Sequence, residues 1–558
     1  MLRIASVECA VMPVIQFKGK TAVESYHRVV PHHTLEVDAK LSGAKKPSLD
    51  GNLIIEGDNL IALKSLLPTH AGRIKCIYID PPYNTGNEGW VYNDNLTQPQ
   101  FKEWIGEVVG KEGEDACRHD KWCCMMYPRL QLLKELLRDD GLIFVSIDSV
   151  EVAHLRMLMD EVFGSENFLA DVAWEKRYTR SNNAKLFYSL KDTILVYRRS
   201  EAVKLLREAR TEKSDGIYKN PDNDPRGDWT SSSYVNPATK EQRPNLVYPI
   251  KNPHSGAWIE HETHAWKYSP ETHAEHVAEN RLWWGEKGDA RYPRLKVFKS
   301  DNGLVPIDVW HYQTTGTTDD GGTTIKNIFG SAIFDNPKPV ELIRRVLELG
   351  TKPDSDDIVL DSTAGSGTTA HAVLESNEED GGNRRFVLVQ QPYDTKDNEK
   401  EKFNIAQKIT RERVQRVSAG YSYKTQSGKT EKVAGLGGEF TYARVGPVLM
   451  SEYRDLGKKL PTYEQVARYV FFTETSQNFD PKQADEKTGK IGEWKGTGYY
   501  LLYTPNGKED RALDVTFLKK LKDKNPRKVI YCEKVWVHRE DLAQFGDIRP
   551  MLVPFNLK

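Results

Sequence analysis

"IKCIYIDPPYNTG", residues 74–86, decides the fold. Residues 74–79 are mostly β-branched, aromatic and apolar, the pattern of a strand buried on both faces. At its carboxyl end the chain turns into an acid, two prolines and a tyrosine. Pro81 and Pro82 fix two successive φ angles and supply no N–H donors, so the loop is stiff and rich in acceptors. The plain alternative is a strand-ending turn, because Pro, Asn and Gly are ordinary turn residues. What surrounds the stretch decides between the two.

Before it, "GNLIIEGDNLIALKSLL" (51–67) predicts a strand, a Gly-Asp turn and an amphipathic helix. After it, "YPRLQLLKELLRDDG" (127–141) predicts a helix stopped by Gly141, and "LIFVSID" (142–148) another strand ending in an acid. "VAHLRMLMDEVFG" (152–164) reads as a helix ended by Gly164. A second such run begins at 339 with helix "PVELIRRVLELG", strand "DIVLD", the segment "STAGSGTTAHAVLE" and strand "RFVLVQQ". Strands alternating with helices through short connections predict an α/β fold, a doubly wound and mostly parallel sheet covered on both faces.

Between the two runs, residues about 200–330 are rich in Asn, Pro, Gly, Asp, His and Trp and show few periodic segments. Beyond about 415 a further unit holds "YEQVARYVFFTET", "GYYLLYT" and "KVIYCEKVWV". The expected organisation is an N-terminal arm over 1–50, a first catalytic part over 51–200, an insertion over 201–330, a second part over 331–415 and a C-terminal α+β domain over 416–558.

The 558 residues carry a formal charge of −1, so any polyanion site has to be a local basic face. Lys176, Arg177, Arg180, Lys185 and Lys191, interleaved with Tyr178, Phe187 and Tyr188, are candidates for one. From charge alone a solvated surface is the simpler account of them. No apolar run approaches the roughly 20 residues that cross a bilayer, and the start lacks signal-peptide order; a cytoplasmic protein without a membrane partner is expected. The six cysteines form no C-x-x-C pair, so neither a disulfide framework nor a cysteine zinc site is indicated. "HETHAW" (261–266) spaces its histidines three apart rather than the four a zinc-protease helix needs. These and the pair His273 and His276 read as ordinary histidines, and no metal is expected.

In open parallel sheets, ligands bind beyond the carboxyl ends of the strands. A second loop stands at such an end: "VLDSTAGSGTTAHA" (359–372), a strand closing on Asp361, small residues, then a helix. Gly365 and Gly367 let a ligand approach the backbone, and the helix offers free N–H groups. The loop has neither the Lys of a P-loop nor the third Gly of the dinucleotide fingerprint.

With both loops in view, the sequence resembles the β-class DNA amino-methyltransferases that use S-adenosylmethionine, in which the catalytic motif precedes the cofactor loop. Further segments similar to the modification subunits of Type III restriction–modification systems are "RHDKWCCMMYPRL", "FDNPKPVELI", "GGNRRFVLVQ" and "ARYVFFTET". The resemblance implies a circularly permuted methyltransferase fold, with 201–330 as an inserted target-recognition domain. It implies Asp80, Pro81, Pro82 and Tyr83 as the catalytic motif. It implies Asp361, Thr363, Ala364, Gly365, Ser366, Gly367 and Thr368 as the cofactor loop. Phe334, Asn336, Lys338 and Pro339 then close over the cofactor's methionine end, Asp58 reaches its adenine, and Gln390 meets its ribose. Thr363 stands where the family usually has Phe, and Gln390 where a Glu is common.

The implied reaction is methyl transfer to the exocyclic amine of an extruded base in double-stranded DNA. An Asp-led motif is usual for adenine N6, whereas Ser commonly leads for cytosine N4, which stays as the alternative together with a catalytically idle recognition subunit. RNA or protein amide methylation would leave the insertion unexplained. Methylation at cytosine C5, which needs a Cys nucleophile after a Pro, is not expected, for no Pro-Cys pair occurs. A homodimer and a separate restriction or helicase subunit are the partners the resemblance implies.

Overall fold

The computed structural model describes residues 14–84, 115–180, 186–300, 302–392, 404–425, 427–449, 460–505, 511–521 and 523–553. "TGNEGWVYND", which completes the opening motif, lies outside them, as do Lys185 and Cys9. The chain divides into two compact units, Met1–Lys204 with Ile307–Lys558, and Leu205–Pro306.

The first unit is built on a ten-stranded sheet. In chain order its strands are β1 (His33–Val37), β2 (Leu53–Glu56), β3 (Ile74–Ile79), β4 (Leu137–Ile147), β5 (Phe168–Glu175), β6 (Lys191–Arg198), β7 (Val309–Trp310), β8 (Ile358–Asp361), β9 (Arg385–Gln390) and β10 (Thr441–Val448). Across the sheet they run β1-β10-β2-β9-β8-β3-β4-β6-β5-β7. The six from β10 to β4 are parallel. The four central ones, β2, β9, β8 and β3, are buried almost without interruption, as a parallel sheet covered on both faces requires. Helices α1 (Asn59–His70), α2 (Asp115–Leu136), α3 (Val152–Phe163), α4 (Thr318–Phe329), α5 (Val340–Gly350) and α6 (Thr368–Asp380) lie between the strands in sequence. Helix α5 shows why they pack: Leu342, Ile343, Val346, Leu347 and Gly350 are buried at helical spacing. The doubly wound α/β reading holds.

One expectation fails locally. The helix through Tyr127 does not run to Gly141; it ends at Leu136, and β4 begins at Leu137. Leu137 pairs with Ile74 and Leu142 with Cys76, so two residues of β3 oppose a longer bulged stretch of β4. Burial of Leu137 and strand pairing outweigh the local stop signal of Gly141.

Tertiary pairing also redistributes the expected segments. β1 of the N-terminal arm and β10, at the start of the C-terminal stretch, both join the central sheet, where β10 supplies the parallel neighbour that β2 lacks in sequence. Residues 307–330 run with the first unit, because β7 pairs with β5 and brings buried Trp310 with it. Further on, a four-stranded sheet holds Lys490–Trp494, Thr497–Leu502, Arg527–Cys532 and Asp547–Leu552. Helix Tyr463–Thr475 packs on it through Val466, Val470 and Phe471. No helix among the described residues is long and apolar enough to cross a membrane.

The second unit has a three-stranded antiparallel sheet, Leu282–Trp283, Arg294–Phe298 and Trp229–Ser233, and an aromatic core of Tyr234, Trp266 and Trp284 with Ile250 and Leu295. Tyr234 Oη lies 3.1 Å from His273 Nδ1 and 3.0 Å from His276 Nδ1, so this pair is spent on the core. Arg226 donates at 2.7 Å to Asp224, which also accepts from buried Lys296 at 2.9 Å.

Candidate active site

The two loops singled out in the sequence emerge side by side, because β3 and β8 are adjacent parallel strands. Asp80 follows the last residue of β3 and Asp361 is the last of β8. The contact between them is direct: the Asp80 N–H donates to Thr363 Oγ1 at 2.9 Å. Thr363, the departure from the family pattern, is the residue that ties the loops together.

Asp361 shapes its own loop. Its carboxylate accepts from the Thr363 N–H at 3.0 Å and from the Thr369 hydroxyl at 2.6 Å, joining the start of the loop to the first turn of α6. It is almost wholly buried, and that burial pushes its pKa up to about 7; the hydrogen bonds from Thr369 and Thr363 oppose the rise, and the charge of Asp80 adds to it.

Gly365 and Gly367 adopt φ of 51° and 78°, in the left-handed region that glycine enters without penalty. A Cβ on Gly365 would stand 3.1 Å from the Phe334 ring, and one on Gly367 3.1 Å from the Thr410 carbonyl. The loop is therefore a cradle closed below by Thr410 and above by Phe334. Gln390 Oε1 accepts from the Gly365 N–H at 2.7 Å, the use its neutral amide finds here. Ala364 hangs from the Val389 carbonyl at 3.2 Å. Buried Arg413 donates to Ser366 Oγ at 3.0 Å and to Thr368 Oγ1 at 2.8 Å. Asp58 caps α1, accepting from the Ile61 N–H at 3.1 Å.

Lys338 comes to a place the sequence did not predict. Its backbone carbonyl accepts from the Thr368 hydroxyl at 3.2 Å, while its ammonium lies 2.5 Å from Asp80 Oδ2. The same ammonium stands 5.1 Å from the Tyr83 ring centroid and 5.9 Å from that of Trp174, a cation among aromatic faces. Asn336, at φ 50°, and Pro339, which caps α5, form the turn that delivers Lys338. Burial and then the Asp80 charge hold the Tyr83 phenol well above its ordinary pKa, so it stays protonated.

Two further residues at this edge carried no sequence signal. Trp174, the penultimate residue of β5, pairs with Asp192 near the start of β6, and both are buried. Lys176, one of the candidates for a basic face, is ion-paired with Asp192 at 2.5 Å and lies 3.6 Å from Asp148. It neutralises the site wall instead of reaching for a polyanion.

The arrangement places one carboxylate, on a rigid loop beside an aromatic ring, next to a backbone cradle at a helix start. It can hold a hydrogen-bearing cationic or partly positive group against Asp80 while a second ligand lies along Gly365–Thr368.

Residues 74–408, more than half of the chain, match the DNA methylase family. Among curated proteins, the Type III restriction-modification enzyme StyLTI Mod subunit of Salmonella typhimurium is 33% identical over 385 residues, 66% of this chain and 57% of the relative. The EcoPI Mod subunit of Escherichia phage P1 is 32% identical, covering 66% of this chain and 62% of the relative. The Type II methyltransferase M.KpnI of Klebsiella pneumoniae is 32% identical over 60% of this chain and 79% of its own length. The chain thus spans about three fifths of the two Mod subunits.

Proposed function

This chain belongs to the DNA methylase family, and on that footing we propose that it moves a methyl group from S-adenosylmethionine to the N6 amine of adenine in double-stranded DNA. One observation carries the reading: the Asp80 loop and the Asp361–Thr368 loop share one sheet edge and are joined through Thr363. The residues present fit the cofactor, since left-handed Gly365 and Gly367 turn the loop into the start of α6 and keep that stretch of backbone bare of side chains. When bound there, its sulfonium supplies the transferable methyl.

The chain's own residues do the rest. An exocyclic amine is a poor nucleophile because its lone pair is conjugated into the ring. The Asp80 carboxylate and the Pro81 carbonyl accept hydrogen bonds from its two N–H groups, favour a pyramidal nitrogen and stabilise positive charge as the methyl arrives, after which the nitrogen sheds one proton to solvent. Pro81 and Pro82 hold these acceptors still, and Tyr83 offers its ring to the extruded base. Lys338, which neutralises Asp80 in the free protein, yields that carboxylate to the amine. Asn336, Pro339 and Phe334 hold the segment that brings Lys338 over the cofactor cradle.

The relatives named as Mod subunits support a place in a restriction–modification system. A partner restriction subunit, a homodimer and a cytoplasmic setting complete the proposal, and Leu205–Pro306 is the unit that would read the target. The test is transfer of tritium from labelled S-adenosylmethionine to duplex DNA, followed by nucleoside digestion. Label in N6-methyl-2′-deoxyadenosine supports the reading; label in N4-methyl-2′-deoxycytidine corrects the base; no label leaves a recognition subunit.

A further inference from the structure

The loop from Asp80 to Asn84 contains two prolines and so cannot tie itself down with backbone donors at those positions. Its anchors come from elsewhere. Thr363 accepts from Asp80 at one end, and Trp122 Nε1 of α2 donates to the Pro82 carbonyl at 2.7 Å in the middle. At the far end Asn84 is buried, at φ 56°, and its amide donates to Glu151 Oε1.

Glu151 is the residue to explain. It is fully buried, 0% exposed, at the N-cap of α3, yet its carboxylate makes no capping hydrogen bond to that helix. Burying a carboxylate is costly and needs partners. They are the Asn84 amide, His119 Nδ1 at 2.6 Å from Oε1 and His154 Nδ1 at 2.9 Å from Oε2. The two imidazoles stack with centroids 4.8 Å apart. Ligand atoms around a tetrahedral zinc-sized ion stand roughly 3.3 Å apart, and these contacts are closer than that: His119 Nδ1 hydrogen-bonds Oε1, while His154 Nδ1 packs against Oε2 without a hydrogen bond.

We infer that Glu151 is a positioning residue for methyl transfer: braced by His119 and His154, it holds Asn84 and thereby fixes where the Asp80 carboxylate points. This rests on the reading of Asp80 as the acceptor for the target amine. The carboxylate sits where a helix cap would normally spend it, and it is turned toward the catalytic loop. Among the described residues its link to that loop is Asn84, whose left-handed backbone sets the direction in which the chain leaves the motif.

The test compares full-length wild type with Asn84→Gly, Glu151→Ala and the double variant Asn84→Asp with Glu151→Gln. Glycine keeps the left-handed φ without strain and removes only the amide. The double variant rebuilds the bond with donor and acceptor exchanged: the new amide's nitrogen takes the place of Oε1, facing both position 84 and His119, and its oxygen stays toward His154. Methyl-transfer rates on duplex DNA and calorimetric binding of S-adenosylmethionine are measured together. A fall in kcat of about a hundredfold in both single variants, with cofactor affinity unchanged, and recovery of at least tenfold in the double variant, supports the inference. It is overturned if Asn84→Gly keeps kcat within threefold of wild type. It is equally overturned if the single variants lose cofactor affinity and melting temperature in step with activity and the exchange rescues nothing, the signature of a merely structural role. A wild-type protein that transfers no label sinks the Asp80 reading itself, and that result is distinct from an active wild type with indifferent variants.

Discussion

The backbone N–H of Asp80 donates to the hydroxyl of Thr363 at 2.9 Å, across 283 residues of chain. The same Thr363 offers its own N–H to Asp361 at 3.0 Å. Two strand ends are thus joined through one side chain, and the acid of the first loop is set by the acid of the second.

Thr363→Val keeps the shape and removes the acceptor. The Asp80 N–H is then left unpaired in a partly buried place, at a cost of about 1–3 kcal/mol. Urea unfolding is expected to register that loss, and methyl transfer to fall by tenfold or more. Thr363→Ser, which keeps the hydroxyl, should restore both.

Asp80→Ala should abolish methyl transfer while fold and cofactor binding persist, because no hydrogen bond of the cofactor loop depends on the Asp80 side chain. Circular dichroism and calorimetry with S-adenosylmethionine check the second half of the claim. A variant transferring methyl groups at near wild-type rate would falsify the role given to Asp80.

The raised pKa of Asp361 has a definite sign. The folded protein holds this proton up to about pH 7, whereas the unfolded chain releases it near pH 4. The contribution to stability is therefore complete below about pH 4 and is lost as pH rises toward 7. Asp361→Asn removes the titration and keeps the shape. Relative to wild type, its melting temperature should improve between pH 5 and pH 8 in cofactor-free protein.

Gly367→Ala forces a side chain into φ 78° with its Cβ 3.1 Å from the Thr410 carbonyl. The left-handed backbone alone costs about 1–2 kcal/mol. The cradle should shift, and calorimetric heat with S-adenosylmethionine should fall by tenfold or more; Gly367→Asp, bulkier and charged, should abolish it.

Much of this site was legible in the chain. A strand closing on Asp80 and a strand closing on Asp361 both follow from local apolar pattern, and the glycines of 365–367 announce left-handed turns. Lys338 was legible as a member of the site but not in its ion pair with Asp80, since a long flexible side chain carries no directional signal. Glu151 and His119 were invisible: they lie 32 residues apart and meet only where α2 and α3 pack.

The sequence by itself determined the alternating strands and helices, the two loops at strand ends and the stiffness of the Pro-Pro turn, because these depend on burial period and on allowed φ angles nearby in the chain. The tertiary structure alone decided that β3 and β8 are neighbours, that β10 pairs with β2 and that Leu137 belongs to a strand. Strand order is fixed by which backbone edges find partners across hundreds of residues. That choice is made by the packing of the whole sheet, and no local pattern encodes it.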